Sequence, residues 1–329
     1  MSERTRVIQY GLGPIGSATA RHVVERAGLE LVGGVDIDPA KVGKDVGEVI
    51  GLRHPLGFTV ADKLAQTDAN ADVVLHATGS YFDLFKDQVI EILEAGLDVV
   101  STAEELSFPW LAHPQEAAEI DAVARRVGKT ILGTGVNPGF IMDSLPLCLT
   151  AICQQVERID VTRVINASTR RGPFQAKIGS GMAVDDFNAR MATGRMGHVG
   201  LPESIGMVLD TLGKRLARYE SHIEPVVTDR LVKTDYFEVE PGRVIGLRQV
   251  AQAYTDEGKF MTLTFIAALE AENDGDTIEI SGRPNLEVKC RGTNGDIATI
   301  AIAVNAIRRI KEVAPGLVTM RDLPIVTLW

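Results

Sequence analysis

The sequence predicts an α/β chain: a parallel sheet with crossover helices over residues 1–145, then an α+β domain with a mostly antiparallel sheet over residues 146–295. Three observations predict it. Short apolar runs alternate with helical patterns through the first 145 residues, as strand–helix–strand units require. Beyond Pro146 several strand-like runs follow one another without helices between them, the pattern of antiparallel neighbours. A last helical pattern at 296–312 carries Ile297, Ile300, Ala301, Val304 and Ile307 on one side. It is expected to return and pack on the first domain, which residues 296–329 then complete.

The elements follow in order. Residues 6–10 read as a strand, 14–26 as its helix and 29–35 as the next strand. Residues 72–77 (Asp-Val-Val-Leu-His-Ala) are almost wholly apolar, as a strand covered on both faces must be. A helix at 82–95 ends at Gly96, and one at 115–127 ends at Gly128, glycine being the usual helix stop. Strands at 98–101 and 129–133 complete the series. In the second half, 156–167 reads as a strand and 185–192 and 202–216 as helices. Residues 243–253, 260–268, 277–281 and 286–290 read as strands.

The chain has 329 residues, enough for two domains, with 45% hydrophobic and 24% charged residues. It has no apolar run of about 18 residues, so no membrane span is expected. A net charge of −10 argues against a nucleic-acid partner. The first six residues lead straight into a strand-like segment without an apolar leader. Cys148 and Cys153 fall at the apolar run 145–152 and are expected to be buried core thiols. Together these point to a cytoplasmic protein. No His-Glu-x-x-His or Cys/His spacing suggests a metal.

The first strand runs into Gly11-Leu12-Gly13-Pro14-Ile15-Gly16, which fits G-x-G-x-x-G. Gly11 permits the tight turn, Gly13 lets backbone approach a pyrophosphate, and Gly16 lets the helix lie close to the strand. The second strand ends at Asp36, twenty residues after Gly16, where a carboxylate would hold the adenosine ribose hydroxyls. The context predicts a Rossmann domain that binds a dinucleotide. Asp36 favours NAD, because its charge repels a 2′-phosphate, while Lys41 and Lys44 nearby keep NADP open. Thr78, Gly79 and Ser80 follow the strand 72–77, at the edge where open α/β sheets gather ligand. They are expected on the nicotinamide side, an ordinary strand-to-helix turn being the alternative.

The next strand ends in Ser101-Thr102-Ala103-Glu104-Glu105-Leu106. Adjacent carboxylates there either face a ligand or open a solvated helix. With this run, Gly133-Thr134-Gly135-Val136-Asn137-Pro138-Gly139-Phe140, the segment 167–179 around Arg170 and Arg171, and Gly197-His198-Val199-Gly200-Leu201-Pro202-Glu203-Ser204 resemble the 2,4-diaminopentanoate dehydrogenases and related NAD(P)-dependent amine dehydrogenases. The N-terminal domain also resembles that of dihydrodipicolinate reductases, whose His-His and Lys catalytic pattern is absent. The resemblance implies oxidation of a primary amine to an imine, its hydrolysis to ketone and ammonia, and the reverse reductive amination. It implies that one of Glu104 and Glu105 is the catalytic carboxylate, placed at Glu104, with Glu105 the rival. It further implies that Asn137 and Phe140 line the nicotinamide and substrate pocket.

Arg170 or Arg171 could grip a substrate carboxylate, a solvated strand end or a subunit salt bridge being equally open. His198 could bind substrate or cap the helix starting near Pro202. The second domain is expected to bind substrate and to dimerise. The rival readings are a reductase of a cyclic imine or carbonyl, and a non-catalytic NAD-binding sensor.

Overall fold

The computed structural model describes residues 4–67, 70–194 and 196–329; residues 1–3, the start of the stretch considered above for a leader, lie outside them. The chain divides into two compact units, Met1–Phe140 with Asn294–Trp329, and Ile141–Thr293.

The first unit opens with β1 (Thr5–Tyr10), α1 (Pro14–Glu25), β2 (Leu29–Val35), α2 (Val46–Val49), β3 (Val60–Ala61), β4 (Val73–His76), α3 (Phe82–Glu94), β5 (Asp98–Ser101), α4 (Pro114–Val127) and β6 (Thr130–Gly133). These strands are parallel in the order β6-β5-β4-β1-β2-β3. Alternate residues of each strand enter opposite layers. In β4, Val73 and Leu75 join the core formed with α1, and Val74 joins the core formed with Phe85, Val89 and Ile92 of α3 and Ile120 of α4. Burial on both faces explains why these strands read as unbroken apolar runs. The order reverses between β1 and β4, so the loops after these strands open a crevice at the carboxyl edge.

The second unit contains α5 (Ser144–Thr150), β7 (Gln155–Asn166), α6 (Gly172–Lys177), α7 (Val184–Met191), α8 (Leu201–Thr211), β8 (Arg218–Val227), β9 (Val232–Lys233), β10 (Glu238–Val239), β11 (Val244–Thr255), β12 (Gly258–Ala268), β13 (Gly275–Arg283) and β14 (Leu286–Cys290). Six strands form one sheet in the order β14-β13-β7-β12-β11-β8. All pairs are antiparallel except the central β7 and β12, which run parallel. The helix expected over 202–216 stops at Thr211, because Gly213 turns the chain at φ 64° toward β8. Cys148 corrects a second expectation. It is exposed on the short helix α5, whose one fully buried residue is Pro146, and Cys153 is half-buried.

One face of this sheet is buried, with Ile159, Val161 and Arg163 of β7 beside Leu263 and Phe265 of β12. Arg163 is tolerated there because Nη1 donates to Asp276 Oδ1 at 2.8 Å and Nη2 to the Thr293 carbonyl at 3.3 Å. The other face carries Arg158, Asp160, Thr162, Val164, Thr264 and Ile266, all half-exposed.

The chain then re-enters the first unit as α9 (Gly295–Ile310), started by the Asn294 side chain, which accepts from the N–H groups of Asp296 and Ile297. Its buried stripe is Ala303, Val304, Ala306, Ile307 and Ile310. Ile297, expected on that stripe, is 68% exposed, since the packed face starts two turns later. β15 (Gly316–Val318) extends the parallel sheet beside β6.

Candidate active site

The carboxyl edge of the first sheet gathers the residues that the sequence singled out there. Gly11 adopts φ +87°, and a β-carbon on Gly16 would stand 1.9 Å from the Gly11 carbonyl, so both positions exclude side chains. A β-carbon on Gly13 would meet nothing within 4 Å. The turn therefore faces open space at the start of α1, where Gly13 supplies no side-chain cap and Pro14 occupies the first turn. N–H groups at such a helix start suit a phosphate. Leu12 is buried, Ile15 half-buried and Pro14 exposed. The turn is tied to β2 by Gly11 N–H donating to the Val35 carbonyl at 2.8 Å.

Asp36 stands at the end of β2 with its carboxylate already oriented. Oδ2 accepts from Leu12 N–H at 2.8 Å and Lys41 Nζ at 3.0 Å, and Oδ1 accepts from Asp38 N–H at 2.9 Å. Burial works against the charge, but these hydrogen bonds outweigh it and hold the carboxyl below its ordinary range. Ile37, 83% exposed beside it, is an apolar surface that sequence reasoning did not single out.

Glu104 and Glu105 form a 3-10 turn just past β5. The turn is pressed onto β6, since a β-carbon on Gly133 would lie 2.4 Å from the Leu106 carbonyl carbon. Glu105 is committed to the fold. Its Oε2 accepts from Phe82 N–H at 2.5 Å, at the start of α3, and lies 3.4 Å from His113 Nε2. The His113 ring in turn stacks on Phe82, with centroids 4.6 Å apart. A carboxylate at a helix start also satisfies the helix dipole. Glu104, like its neighbour, is half-buried.

Beneath this edge lies a polar cluster that the sequence analysis passed over as part of an apolar strand. His76, at the end of β4, is fully buried, with Nδ1 2.8 Å from Ser101 Oγ and Nε2 2.8 Å from Gln88 Oε1. Thr78 Oγ1 donates to Gln88 Oε1 at 2.7 Å and lies 3.0 Å from His76 Nε2. Ser101 Oγ accepts from Ala103 N–H at 3.1 Å, and the Ser80 carbonyl accepts from Glu105 N–H at 3.2 Å. Gly79 packs close to Leu84 of α3. Burial pushes the His76 imidazole down to about 4, offset only in part by its bond to Gln88.

Past β6, Asn137 is 7% exposed, and neither Nδ2 nor Oδ1 finds a hydrogen-bond partner among the described residues. A buried amide left open on both sides is costly unless a ligand completes it. Phe140, three residues on, is 36% exposed.

The second unit holds the remaining candidates. Arg170 is half-buried with its guanidinium 5.0 Å from the Phe174 ring centroid, and Arg171 is exposed at the start of α6. His198 stacks on Phe265 of β12, with centroids 4.7 Å apart and planes 17° from parallel. Gln249 of β11 grips its backbone, accepting from His198 N–H at 2.7 Å and donating to its carbonyl at 3.2 Å. His198 does not cap α8, which starts at Gly200 without a side-chain cap. Among the described residues no group of His, Cys, Asp and Glu could hold a metal ion.

Residues 140–329 match the family model of the 2,4-diaminopentanoate dehydrogenase C-terminal domain, and residues 5–103 match the dihydrodipicolinate reductase N-terminus. The chain is 34% identical to 2,4-diaminopentanoate dehydrogenase of Acetoanaerobium sticklandii, over 98% of this chain and 94% of that protein. It is 24% identical to an amine dehydrogenase of Streptomyces virginiae, over 97% and 96% of the two chains. The solved structure of amine dehydrogenase from Mycobacterium smegmatis shares the fold with a TM-score of 0.86, covering 100% of this chain and 98% of that one at 24% identity.

The buried imidazole makes stability depend on pH. His76 binds a proton less readily in the fold, near 4, than in the unfolded chain, near 6.5. Its contribution is therefore complete above about pH 6.5 and is lost as pH falls toward 4. That difference corresponds to roughly 3 kcal/mol. Urea titrations are expected to show the parent losing about that much more stability than His76→Gln between pH 7 and pH 4. Equal losses in both proteins would mean that His76 is not the group responsible.

Proposed function

Since the chain belongs to the 2,4-diaminopentanoate dehydrogenase family, we propose that it is an NAD(P)-dependent amine dehydrogenase in which Glu104 is the catalytic carboxylate. It oxidises a primary amine to an imine that water converts to a ketone and ammonia, and it runs the reductive amination in reverse. The observation that supports the assignment is the commitment of Glu105 to the start of α3 and to His113, which speaks against Glu105 as the member of the pair that handles protons.

The residues at the sheet edge fit a dinucleotide. Gly11, Leu12, Gly13, Pro14, Ile15 and Gly16 form a turn whose open side, at Gly13, leaves the space that a pyrophosphate needs at the start of α1, and Asp36 presents a preset acceptor to the ribose hydroxyls. Ile37 offers its exposed side chain to an adenine face. Thr78, Gly79, Ser80 and Asn137 belong to the nicotinamide side, where the unsatisfied Asn137 amide suits a carboxamide that both donates and accepts. When bound, the nicotinamide takes the hydride from the amine carbon. Glu104 first removes the ammonium proton, so that the nitrogen lone pair can drive that departure. Once that proton has passed on to solvent, the restored carboxylate stabilises the iminium and accepts a proton from the attacking water. Phe140, Arg170, Arg171 and His198 are assigned to the amine, with a guanidinium fork for substrates that carry a carboxylate.

The reductase alternative is the weaker reading, because the dihydrodipicolinate reductase likeness is confined to residues 5–103. The three cysteines are free thiols, which suits the reducing cytoplasm assigned to the protein. We also assign a homodimer through the half-exposed face of the second sheet. The chain carries a net −10, yet on this face Arg158 pairs with Asp160, Arg248 with Glu224, Arg218 with Glu220 and Lys289 with Glu287. A second copy can therefore approach its β-branched centre, Thr162, Val164, Thr264 and Ile266, past charges that are mostly paired within the face.

Three experiments test these assignments. Glu104→Gln is expected to lower kcat for amine oxidation by about 10²–10⁴-fold with NAD affinity nearly unchanged. Glu105→Gln should stay within several-fold in kcat, and activity surviving in Glu104→Gln refutes the assignment. In isothermal titration, Asp36→Ala should weaken NAD more than NADP; a parent that binds NADP many-fold tighter would contradict the role given to Asp36. By sedimentation, Ile266→Asp should convert a dimeric parent to monomer, and an unaltered dimer would place the interface elsewhere.

A further inference from the structure

Three groups of different elements, two of them wholly buried and the third half-buried, are joined by one hydrogen-bond chain under the sheet edge. His76 ends β4 and is wholly buried between the rings of Tyr10 and Phe85, with centroids 5.6 and 6.3 Å away. Ser101 ends β5 and is equally buried. Gln88 comes from α3 and reaches His76 from the other side.

The directions of these bonds fix the proton positions. Ser101 Oγ accepts from Ala103 N–H, so its own hydrogen is available to His76 Nδ1. Gln88 Oε1 can only accept, so Nε2 carries the ring proton, and in the neutral imidazole the bare Nδ1 accepts that hydrogen. Thr78 adds its hydroxyl to the same oxygen. Every member has a partner, and the chain runs from the turn after β4 to the amide just before Glu104. If these positions served packing alone, apolar side chains would fill the space without the desolvation cost of three polar groups.

We infer that His76 is a positioning residue for Glu104, holding the 102–105 turn against the turn at Thr78 through Ser101 on one side and Gln88 on the other. The inference rests on the catalytic reading of Glu104 and deepens it. A second restraint strengthens the geometry: Thr102 N–H donates to the His76 carbonyl at 2.9 Å, so backbone and side chain of one residue both hold the turn. The imidazole acts neutral, because a wholly buried ring is costly to charge. Among the described residues Tyr10 is the one titratable side chain whose ring contacts His76, and burial raises its phenol above the ordinary value, so it too is uncharged.

A double-mutant cycle on the full-length enzyme tests this. Ser101→Ala removes both the donor to His76 and the acceptor of Ala103 N–H. It is expected to lower kcat by about tenfold with KM for NAD changed less than about twofold, since a small misplacement of a catalytic group costs rate rather than cofactor binding. In the Glu104→Gln background the same change should lower kcat further by less than about twofold, because a residue acting through Glu104 has nothing left to position. Gln88→Ala, on a half-buried helix surface, is the second variant should Ser101→Ala not fold, with a smaller loss that also vanishes in the Glu104→Gln background. Ser101→Thr, which retains the hydroxyl, should recover most of the rate. If Ser101→Ala and Gln88→Ala leave kcat intact while Glu104→Gln loses it, the positioning role is wrong and the catalytic reading stands. Equal losses in both backgrounds also overturn the role, as a general packing defect. Full activity in Glu104→Gln removes the catalytic reading and this inference with it.

Discussion

A parallel sheet delivers all its strands to one edge, and there each chain must leave the ladder and find new partners for its backbone. In the first unit that constraint organises everything else. Gly11 N–H turns to the Val35 carbonyl, Thr102 N–H to the His76 carbonyl, and Thr134 N–H to the Ser101 carbonyl. Each loop is thus stitched to the end of the neighbouring strand. The result is a row of short, rigid turns instead of free loops, and the glycine turn, Asp36, the Thr78 turn, the glutamate pair and Asn137 all lie along that row. A site built this way holds its geometry because the sheet holds it.

The same logic separates the two adjacent glutamates. Sequence chemistry treats Glu104 and Glu105 alike, since both follow a strand and both suit a helix start. What distinguishes them is Phe82, which is 23 residues from Glu105 in sequence but donates its N–H to it. No local pattern could have revealed that contact. Under the proposed assignment the pair divides two tasks, Glu105 fixing the entry to α3 and Glu104 taking the proton.

What was legible in the sequence follows a physical line. β1, β2, β4, β5 and β6 were readable because burial on both faces makes them unbroken apolar runs, and Gly11 through Gly16 with Asp36 because backbone geometry forces the residue type. β8 was not readable. Its sequence, Arg218 through Val227, is an exposed edge strand with Glu220, Ser221, His222 and Pro225, and has no run to notice. The parallel pairing of β7 with β12 escaped for another reason, since pairing direction leaves no mark on either strand alone. Cys148 misled because its apolar neighbours suggested depth, whereas α5 is too short to bury more than one side. His76 was read correctly as buried but not as a polar anchor, because its partners Ser101 and Gln88 lie 25 and 12 residues away.

A buried histidine under this turn could have carried a charge, but burial leaves His76 neutral, which suits the strut proposed for it. The distinction matters for the base. A cation near Glu104 would favour the ionised carboxylate, lower its pKa and weaken it as a proton acceptor. A neutral imidazole orients the turn without that penalty. Full burial ensures the neutrality, since desolvation holds the ring near 4. The hydrogen-bond directions then need no switching during turnover. Asp36 shows the opposite solution at the other end of the site. There a charge is wanted, and Leu12 N–H, Asp38 N–H and Lys41 keep the carboxylate ionised and aimed before any ligand arrives. The first unit thus sets one group neutral by burying it and another charged by surrounding it with donors, and in both cases the backbone of the strand ends supplies the restraint.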